Sequence, residues 1–333
     1  MSTDIIVVAG AGGFIGGHLV AALRDQGAHI RAVDIKPLVD WYQPFADVEN
    51  VVADLTLKGE CERVCRGADQ VFQLAADMGG MGYIEHNRAR CMLSVLSNTH
   101  MLLAARDSGV SRFFFSSSAC VYNAERQKSP EVIPLREEDA YPAMPEDGYG
   151  WEKLFSERMC RHFREDFGLS TRIARYHNVY GPHGTWEGGR EKAPAAICRK
   201  VIEAISSGQD TIDIWGDGKQ TRSFTYIEDC IRGTLAISRS SVAEPVNLGS
   251  SELVTIDQLV DIVEAIAGVR LYRRYDLTAP RGVNGRNSDN SKILNYLNWE
   301  PSVRLRDGME RTFAWIRDQF TSKYGSRTTI SAT

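Results

Sequence analysis

The sequence has no long apolar run, no excess of basic charge and no leader-like start. No stretch approaches the roughly 18 consecutive apolar residues that a membrane helix needs. The first residues lack the basic and apolar regions of a signal peptide, and Asp4–Val8 is typical of a buried strand. Lysine and arginine number 39 against 43 aspartates and glutamates, so the net charge of −4 disfavours nucleic-acid binding. We therefore expect a cytoplasmic protein that binds neither membrane nor nucleic acid.

Cysteine is also sparse, and its pattern disfavours both a disulfide-stabilised protein and a zinc-binding protein. The chain has seven cysteines, an odd number, scattered along its length. Cys61 and Cys65 stand four residues apart with no second pair and no nearby histidine, so we predict no metal site. Reduced, mostly buried thiols are expected for all of them except Cys120, which belongs to a candidate site.

Strands and helices alternate through the first half of the 333 residues and predict an α/β fold. Strands separated by helices imply right-handed crossovers and a parallel sheet. The strands are predicted at Ile5–Ala9, Ile30–Asp34, Val48–Asp54, Gln70–Ala75, Arg112–Ser117 and Thr171–Tyr176. The clearest helical patterns cover Phe14–Gln26, Ile84–Ser108 and Tyr149–Phe167.

The pattern loosens after about residue 177 into loops, short helices and isolated strands such as 213–215 and 271–275. A helix at 227–238 and a strand at 246–249 are expected to return to the main sheet. The chain would then have two domains, each discontinuous: residues 1–177 plus about 224–250, and residues 178–223 plus about 251–324. The Ser/Thr-rich residues 325–333 are predicted to be a frayed tail.

A glycine-rich turn follows the first strand and predicts a dinucleotide site. Gly10, Gly13 and Gly16 would supply the tight turn, the close approach to a pyrophosphate and close helix packing, and Phe14 and Ile15 open the helix. Asp34 ends the second strand, 18 residues after Gly16, where a carboxylate accepts hydrogen bonds from a ribose and repels a 2′-phosphate. NAD is therefore favoured over NADP. Further cofactor residues are expected at Asp54, which could equally be a solvated strand-end acid, and at Ala75.

Tyr149 and Lys153 stand four residues apart on one predicted helix and therefore share a face. A tyrosine hydroxyl titrates near 10, and an adjacent ammonium together with a nicotinamide cation is expected to lower that pKa. Tyr149 could then take a proton from a substrate hydroxyl while a hydride leaves for NAD. Alone, such a pair is more often an ordinary exposed helix face, but here it follows a dinucleotide motif and a serine-rich strand end.

That strand end, Phe115–Tyr122, places Ser118 and Cys120 beyond the carboxyl edge of the sheet, where ligands of such sheets bind. With these residues in place, the chain resembles the extended short-chain dehydrogenase/reductase superfamily. The resemblance implies a Rossmann-type doubly wound parallel sheet with a smaller, discontinuous α/β substrate domain. It also implies a nucleotide-sugar substrate that bound NAD oxidises transiently, and a homodimer formed through the two long helices.

The residues around Cys120 distinguish reaction types within that superfamily. The resemblance implies a glutamate and an aspartate at positions 120 and 119 in sugar dehydratases, and no base there in C4-epimerases. Here Cys120 can remove a proton but Ala119 cannot help expel water. The reaction that would then remain is removal of a proton beside a C4 ketone without loss of water. In this combination the chain is similar to the GDP-mannose 3,5-epimerase family. Other similar segments are Ala75–Gly82, Gly188–Ala196, Trp215–Phe224 and Gly285–Asn290.

This resemblance implies a role for each matching residue. Tyr149 and Lys153 would drive oxidation at C4, Ser118 would hydrogen-bond the reacting hydroxyl, and Cys120 and Lys192 would be the acid–base pair at C5 and C3. GDP-mannose would become GDP-L-galactose, or GDP-L-gulose by inversion at C5 alone. Arg222 and Arg286 would clamp the diphosphate, since a guanidinium fits phosphate oxygens. The other expected substrate contacts are Met78, Gly79, Asn178, Glu191, Lys200 and Gln220.

Several alternatives stay open at this level. Glu191 could merely pair with Arg190, and Lys200 could be an ordinary helix-surface lysine. The chain could be another nucleotide-sugar C5-epimerase of a polysaccharide or natural-product pathway. It could also be a non-catalytic NAD-binding regulator, although the complete set of Ser118, Tyr149 and Lys153 disfavours that alternative.

Overall fold

The structure is a computed structural model that describes residues 4–280 and 282–325. Residues 326–333 of the predicted frayed tail lie outside that description. The described strands are β1 (Ile5–Ala9), β2 (His29–Asp34), β3 (Glu49–Val52), β4 (Ala68–Gln73), β5 (Arg112–Ser118), β6 (Thr171–Tyr176), β7 (Val179–Tyr180), β8 (Thr211–Trp215), β9 (Thr221–Ser223), β10 (Thr225–Tyr226), β11 (Val246–Leu248), β12 (Leu253–Thr255), β13 (Tyr272–Asp276) and β14 (Gly285–Arg286). The described helices are α1 (Phe14–Asp25), α2 (Lys58–Cys65), α3 (Met81–His86), α4 (Arg88–Met92), α5 (Ser94–Asp107), α6 (Tyr149–Phe167), α7 (Ala193–Ser207), α8 (Ile227–Arg239), α9 (Ile256–Ala267), α10 (Ser291–Leu297) and α11 (Leu305–Tyr324).

Seven parallel strands form the central sheet in the order β11-β6-β5-β4-β1-β2-β3. β1 pairs with both β2 and β4, so the order reverses at this point and opens a crevice beyond the carboxyl ends of the strands. The predicted return of residues near 246 to the sheet is confirmed, because β11 pairs with β6. This is the doubly wound α/β fold that the sequence predicts.

Both faces of the sheet are covered, which explains the unbroken apolar runs in its strands. Val8 and Phe114 belong to one buried cluster, with side chains of α1 and α8. Val7 and Phe113 belong to another, with side chains of α2, α5 and α6. Neighbouring residues of one strand therefore pack into opposite cores, as the two-residue period of a strand requires.

Three smaller sheets lie outside the central one. They have the orders β12-β9-β14, β13-β8 and β10-β7. α7, α9 and α11 pack against one another beside them and share the core that contains α1 and α8. The loop before α7 and the strands β8, β9 and β14 thereby form a wall opposite the carboxyl edge of the central sheet.

The predicted helix at 84–108 is wrong as a single element. The segment forms α3, α4 and α5, and the first break lies at Asn87, whose φ of −130° and ψ of 36° are not helical. The Asn87 side-chain amide instead donates to the carbonyl of Tyr83. Such side-chain hydrogen bonds compete with the backbone hydrogen bonds of a helix. The sequence has no proline or glycine there from which the break could be predicted.

Two further features concern membrane spans and the state of the cysteines. No described helix combines the length and the apolar composition that a bilayer crossing requires. All seven cysteines are free and buried.

Candidate active site

The glycine turn between β1 and α1 has the shape that a dinucleotide needs. Gly10 has a φ of +85°, and a Cβ there would lie 2.9 Å from the backbone nitrogen of Ala75. A Cβ at Gly16 would lie 2.1 Å from the Gly10 carbonyl oxygen, so only glycine lets the helix pack this closely. α1 begins at Phe14, and the free N–H groups of a helix start are the kind of donors that bind a pyrophosphate. These residues fit a dinucleotide.

Of the two predicted strand-end acids, Asp34 lies beside this turn, because the Gly10 N–H donates to the carbonyl of Val33, the residue before Asp34. Asp34 is buried at the end of β2, and its Oδ1 accepts a 3.0 Å hydrogen bond from the Lys36 N–H. The Asp34 carbonyl accepts a hydrogen bond from the N–H of Ala53, the residue before Asp54. Asp54 Oδ1 accepts two bonds from Thr56, at 2.9 and 2.7 Å, so it closes a turn after β3.

Tyr149 is the first residue of α6 and Lys153 lies one turn further on, so they share a helix as the sequence predicts. Both side chains are buried, and the Lys153 Nζ lies 5.5 Å from the centroid of the Tyr149 ring and 4.8 Å from that of Phe115. A Cβ at Gly150 would lie 2.3 Å from the Cys120 carbonyl oxygen. The glycine after Tyr149 therefore lets α6 press against the turn that carries Cys120.

Without a bound cofactor the pKa of Tyr149 is raised, so the predicted lowering depends on the nicotinamide cation that the prediction includes. Burial raises that pKa well above its ordinary value, Cys120 and Glu152 raise it further, and a hydrogen bond with Ser118 offsets only part. A phenolate at Tyr149 therefore needs additional positive charge, of the kind that an oxidised nicotinamide ring carries.

Ser118 and Cys120 lie together at the carboxyl end of β5. A single 3₁₀ turn, Ala119–Val121, follows the strand, and the Ser118 hydroxyl accepts a 3.2 Å hydrogen bond from the Cys120 N–H. Both side chains and that of Tyr149 line one cavity of about 290 Å³. This cavity spans the gap between the central sheet and the wall formed by the loop before α7 and the small sheets.

Lys192 reaches the same cavity from the residue just before α7. Burial lowers the pKa of its ammonium, and the negative charge available at Cys120 partly opposes this. The ammonium makes no hydrogen bond to any residue that the structure describes. The two residues that the resemblance pairs as acid and base are therefore brought together by segments 72 positions apart in the sequence.

Glu191 does not pair with Arg190, which was the alternative for it. Its carboxylate accepts a 3.0 Å bond from Arg199 and a 2.7 Å bond from the Gly189 N–H. Lys200 is more than a surface lysine, because it lines the cavity, donates to the Asp213 carbonyl at 2.7 Å and lies over the Trp215 ring.

The other predicted substrate residues line the cavity as well. Arg222 donates to the carbonyls of Thr221 and Val283, and burial lowers its pKa to about 10. Gln220 is buried and its Oε1 has no hydrogen-bond partner among the described residues. An orphaned acceptor facing a cavity is typical of a ligand contact. The remaining members of the predicted set that line the cavity are Met78, Gly79, Asn178 and Arg286.

Sequence analysis missed three side chains that organise this cavity. Glu146 forms an ion pair with Arg286, and Gln127 Oε1 accepts a 2.7 Å bond from the Arg286 Nε. Asp77 binds Arg190 and so connects the loop after β4 with the loop that carries Lys192. Asp77 belongs to the segment Ala75–Gly82, which is similar to the family but gives no separate role to Asp77. No spacing pattern in the sequence distinguishes Glu146 or Gln127.

The arrangement brings a tyrosine hydroxyl, a thiol and an ammonium, three groups that can exchange protons, into one cavity. Tyr149 and Ser118 lie at the edge where a nicotinamide would reach, and Cys120 and Lys192 face the same space. Among the described residues no three His, Cys, Asp or Glu side chains are grouped as a metal site would require. The site can therefore combine oxidation by a dinucleotide with proton transfer at carbon.

Comparisons with known proteins agree with this geometry. Residues 6–249 match the model of the NAD dependent epimerase/dehydratase family. GDP-mannose 3,5-epimerase 1 of Oryza sativa subsp. japonica is 43% identical over 98% of this chain and 87% of its own length. The Arabidopsis thaliana GDP-mannose 3,5-epimerase is 42% identical over 98% of this chain and 85% of its own length.

Solved structures give the same result for the fold. UDP-glucose 4-epimerase of Thermotoga maritima, crystallised with UDP-glucose, has a TM-score of 0.83 and 25% identity over 95% of this chain and 99% of its own. MoeE5 in complex with UDP-glucuronic acid and NAD has a TM-score of 0.78 and 27% identity over 95% of this chain and 99% of its own.

Proposed function

The chain belongs to the NAD dependent epimerase/dehydratase family, and from this premise we propose that it epimerises GDP-D-mannose at C3 and C5 to GDP-L-galactose. Inversion at C5 alone would give GDP-L-gulose. The substrate rests on the GDP-mannose 3,5-epimerases that are 42% and 43% identical over nearly the whole chain. The chemistry rests on the cavity, and the observation that carries it is the convergence of Cys120 and Lys192 beside Tyr149.

Oxidation at C4 begins the reaction. Tyr149 removes the proton from the C4 hydroxyl, and Ser118 hydrogen-bonds the same oxygen. The Lys153 ammonium supplies positive charge 5.5 Å from the centroid of the Tyr149 ring. The chemistry that bound NAD would supply is reversible hydride acceptance from C4, with no net oxidation over the whole cycle. The cofactor would be held by Gly10, Gly13, Phe14, Ile15, Gly16, Asp34, Asp54, Ala75, Tyr149 and Lys153.

Inversion follows because the C4 ketone acidifies the hydrogens on C3 and C5. Cys120 takes a proton from one face of the carbon, and the electron pair of the C–H bond moves to the ketone oxygen. Lys192 then delivers a proton to the opposite face while the carbonyl re-forms. A buried ammonium with a lowered pKa gives up its proton more readily than an exposed lysine does. Ala119 offers no acid to expel a hydroxyl, which disfavours elimination.

The remaining cavity residues would bind the nucleotide-sugar. Arg222 supplies a guanidinium group for the diphosphate, and Gln220 supplies an unpaired acceptor. The diphosphate role expected for Arg286 is not kept in this proposal, because its guanidinium nitrogens lie against Gln127, Glu146 and Cys120. We assign the rest of the binding set to Met78, Gly79, Asn178, Glu191 and Lys200. In this assignment residues 1–177 plus about 224–250 bind NAD, and residues 178–223 plus about 251–324 bind the substrate.

The test is proton NMR of GDP-mannose incubated with the purified protein in D2O, with no cofactor added. Deuterium at C5 and C3 with galactose-type and gulose-type signals is the expected result. Tyr149→Phe is the control, because without the C4 ketone neither carbon should exchange. Deuterium at C5 alone would favour the C5-epimerase alternative. An unchanged spectrum from protein that carries NAD would overturn the proposed substrate.

We also propose a homodimer through α4, α5 and α6. Met92, Leu93 and Leu96 on one side, and Trp151 and Phe155 on α6, are apolar yet between 41% and 56% exposed. Such residues on neighbouring helices favour a protein partner. Light scattering should find a dimer that Phe155→Glu dissociates, whereas Phe167→Glu at the end of α6 should not.

A reducing compartment, and hence a cytoplasmic location, is the remaining part of the proposal. It is supported by the seven buried free thiols. Cell fractionation tests it directly, and recovery in a secreted or membrane fraction would contradict it.

A further inference from the structure

Glu146 is connected to the turn that carries Cys120 directly through its backbone and indirectly through Arg286. Its backbone N–H donates a 3.0 Å hydrogen bond to the Cys120 carbonyl. Its carboxylate forms an ion pair with Arg286, and both side chains are 10% exposed or less. Glu146 also lines the cavity that contains Tyr149 and Lys192.

The three nitrogens of the Arg286 guanidinium each have a different partner. Nε donates to Gln127 Oε1 at 2.7 Å, Nη2 donates to Glu146, and Nη1 lies 3.8 Å from the sulfur of Cys120. A planar guanidinium held at two corners has its third corner fixed in direction. Gln127 and Glu146 therefore aim Nη1 at the thiol.

We propose that Glu146 is a positioning residue for proton removal from the sugar ring, acting through Arg286 on Cys120. The inference rests on the proposed function, in which Cys120 is the base. A neighbouring cation favours the thiolate, which is the form that removes a proton. Glu146 keeps this cation at the sulfur, and its backbone N–H holds the Cys120 turn in the matching position.

The charges on the cavity wall explain why the cation needs such a hold. Lys192, Arg222 and Arg286 all line the cavity around Cys120. Like charges repel one another, and an unpaired buried guanidinium is costly. Without Glu146, Arg286 would lose its charged partner and would turn towards other acceptors, away from the sulfur.

The experiment compares Glu146→Ala and Glu146→Gln with Asp147→Asn as the matched control. Asp147 is the next residue and carries the same charge, but it pairs with the exposed Arg88 at 3.2 Å. The holoenzyme is mixed with GDP-mannose in D2O. Deuterium incorporation at C5 and C3 is measured beside C4 oxidation, which is followed by the absorbance of the reduced cofactor. Steady-state kcat and KM are determined in parallel.

We expect Glu146→Ala to slow deuterium incorporation by about ten- to a hundredfold, the effect of losing a charged hydrogen bond. C4 oxidation and KM should stay within about twofold of the unmodified protein. Glu146→Gln should lose less, because its amide oxygen still accepts from Arg286. In an Arg286→Ala background the alanine variant should cause no further loss. Exchange as fast as in Asp147→Asn, an equal loss of C4 oxidation, or an additive loss in that background would overturn the inference.

A substrate-free measurement separates this inference from the proposed function. Iodoacetamide labelling of Cys120, followed by peptide mass spectrometry, should be slower in Glu146→Ala than in Asp147→Asn by about tenfold. If the unmodified protein incorporates no deuterium, the proposed substrate is wrong, and the labelling rates still decide the role of Glu146. Equal labelling rates would contradict it.

Discussion

The Arg190 guanidinium donates a 2.8 Å hydrogen bond to the carboxylate of Asp77 and thereby joins the loop after β4 to the loop before α7. Tyr83 completes the contact, because its hydroxyl accepts from Arg190 at 2.6 Å and donates to Asp77 at 2.9 Å. The Gly80 N–H adds a 3.0 Å bond to the Arg190 carbonyl. Lys192 follows Arg190 by two residues, so this contact places the proposed acid over the cavity.

Arg190→Ala should therefore impair the reaction more than it impairs the fold. We expect kcat to fall by about tenfold, since a misplaced proton donor is costly, while the free energy of unfolding changes by less than about 1 kcal/mol for a half-exposed ion pair. Arg90→Ala is the control, because Arg90 binds the other oxygen of Asp77 at 2.7 Å and, in the part of the chain that the structure describes, forms no hydrogen bond with the loop that carries Lys192. Urea unfolding and steady-state kinetics check both variants. Equal kinetics for the two would contradict the role of the contact.

Cys120→Ser should separate C4 oxidation from epimerisation. Serine keeps the shape of the turn but is a far weaker acid, so deuterium incorporation at C5 and C3 should fall by about 10²- to 10⁴-fold. Absorbance of the reduced cofactor should still appear on mixing with GDP-mannose. The matched control is Cys91→Ser, since Cys91 packs in the same buried cluster as Tyr149 but does not line the cavity. Full epimerase activity in Cys120→Ser would show that another group is the base.

Much of the site follows from local sequence, because its parts are continuous in the chain. The glycine turn and the Tyr149–Lys153 pair each lie within one strand–turn–helix or one helical turn, and both are found as predicted. Contacts between remote segments could not be predicted. Asp77 and Arg190 are 113 residues apart, and nothing in their spacing indicates that they meet. The burial that raises the pKa of Tyr149 could not be predicted for a related reason, because burial is a property of the whole fold.

Gly13→Ala tests the cofactor site with only a small adjustment of the turn. A Cβ at this position would meet the Gly10 carbonyl oxygen at 3.2 Å, and apart from the adjacent residues no other described atom lies within 4 Å. Its φ of −88° suits any residue. The methyl group would instead fill the space that a pyrophosphate approaches, so NAD affinity should fall by about tenfold or more. The NAD content of the purified protein and titration calorimetry measure this effect. Gly59→Ala in α2, with nothing within 4 Å, is the control, and equal NAD content in both would contradict the placement.

His177 predicts a loss of stability in acid. It is fully buried, its Nε2 lies 3.0 Å from the Asn247 side-chain oxygen, and burial lowers its pKa from 6.5 to about 4. The unfolded chain therefore binds this proton below about pH 6.5, whereas the folded chain binds it only near pH 4. Stability should fall as the pH drops through this window, by about 3 kcal/mol from this residue. Urea unfolding at pH 7 and pH 4 should show a smaller acid loss in His177→Gln than in the control His162→Gln, whose side chain is half exposed. An equal loss in the two variants would mean that His177 does not set the acid sensitivity.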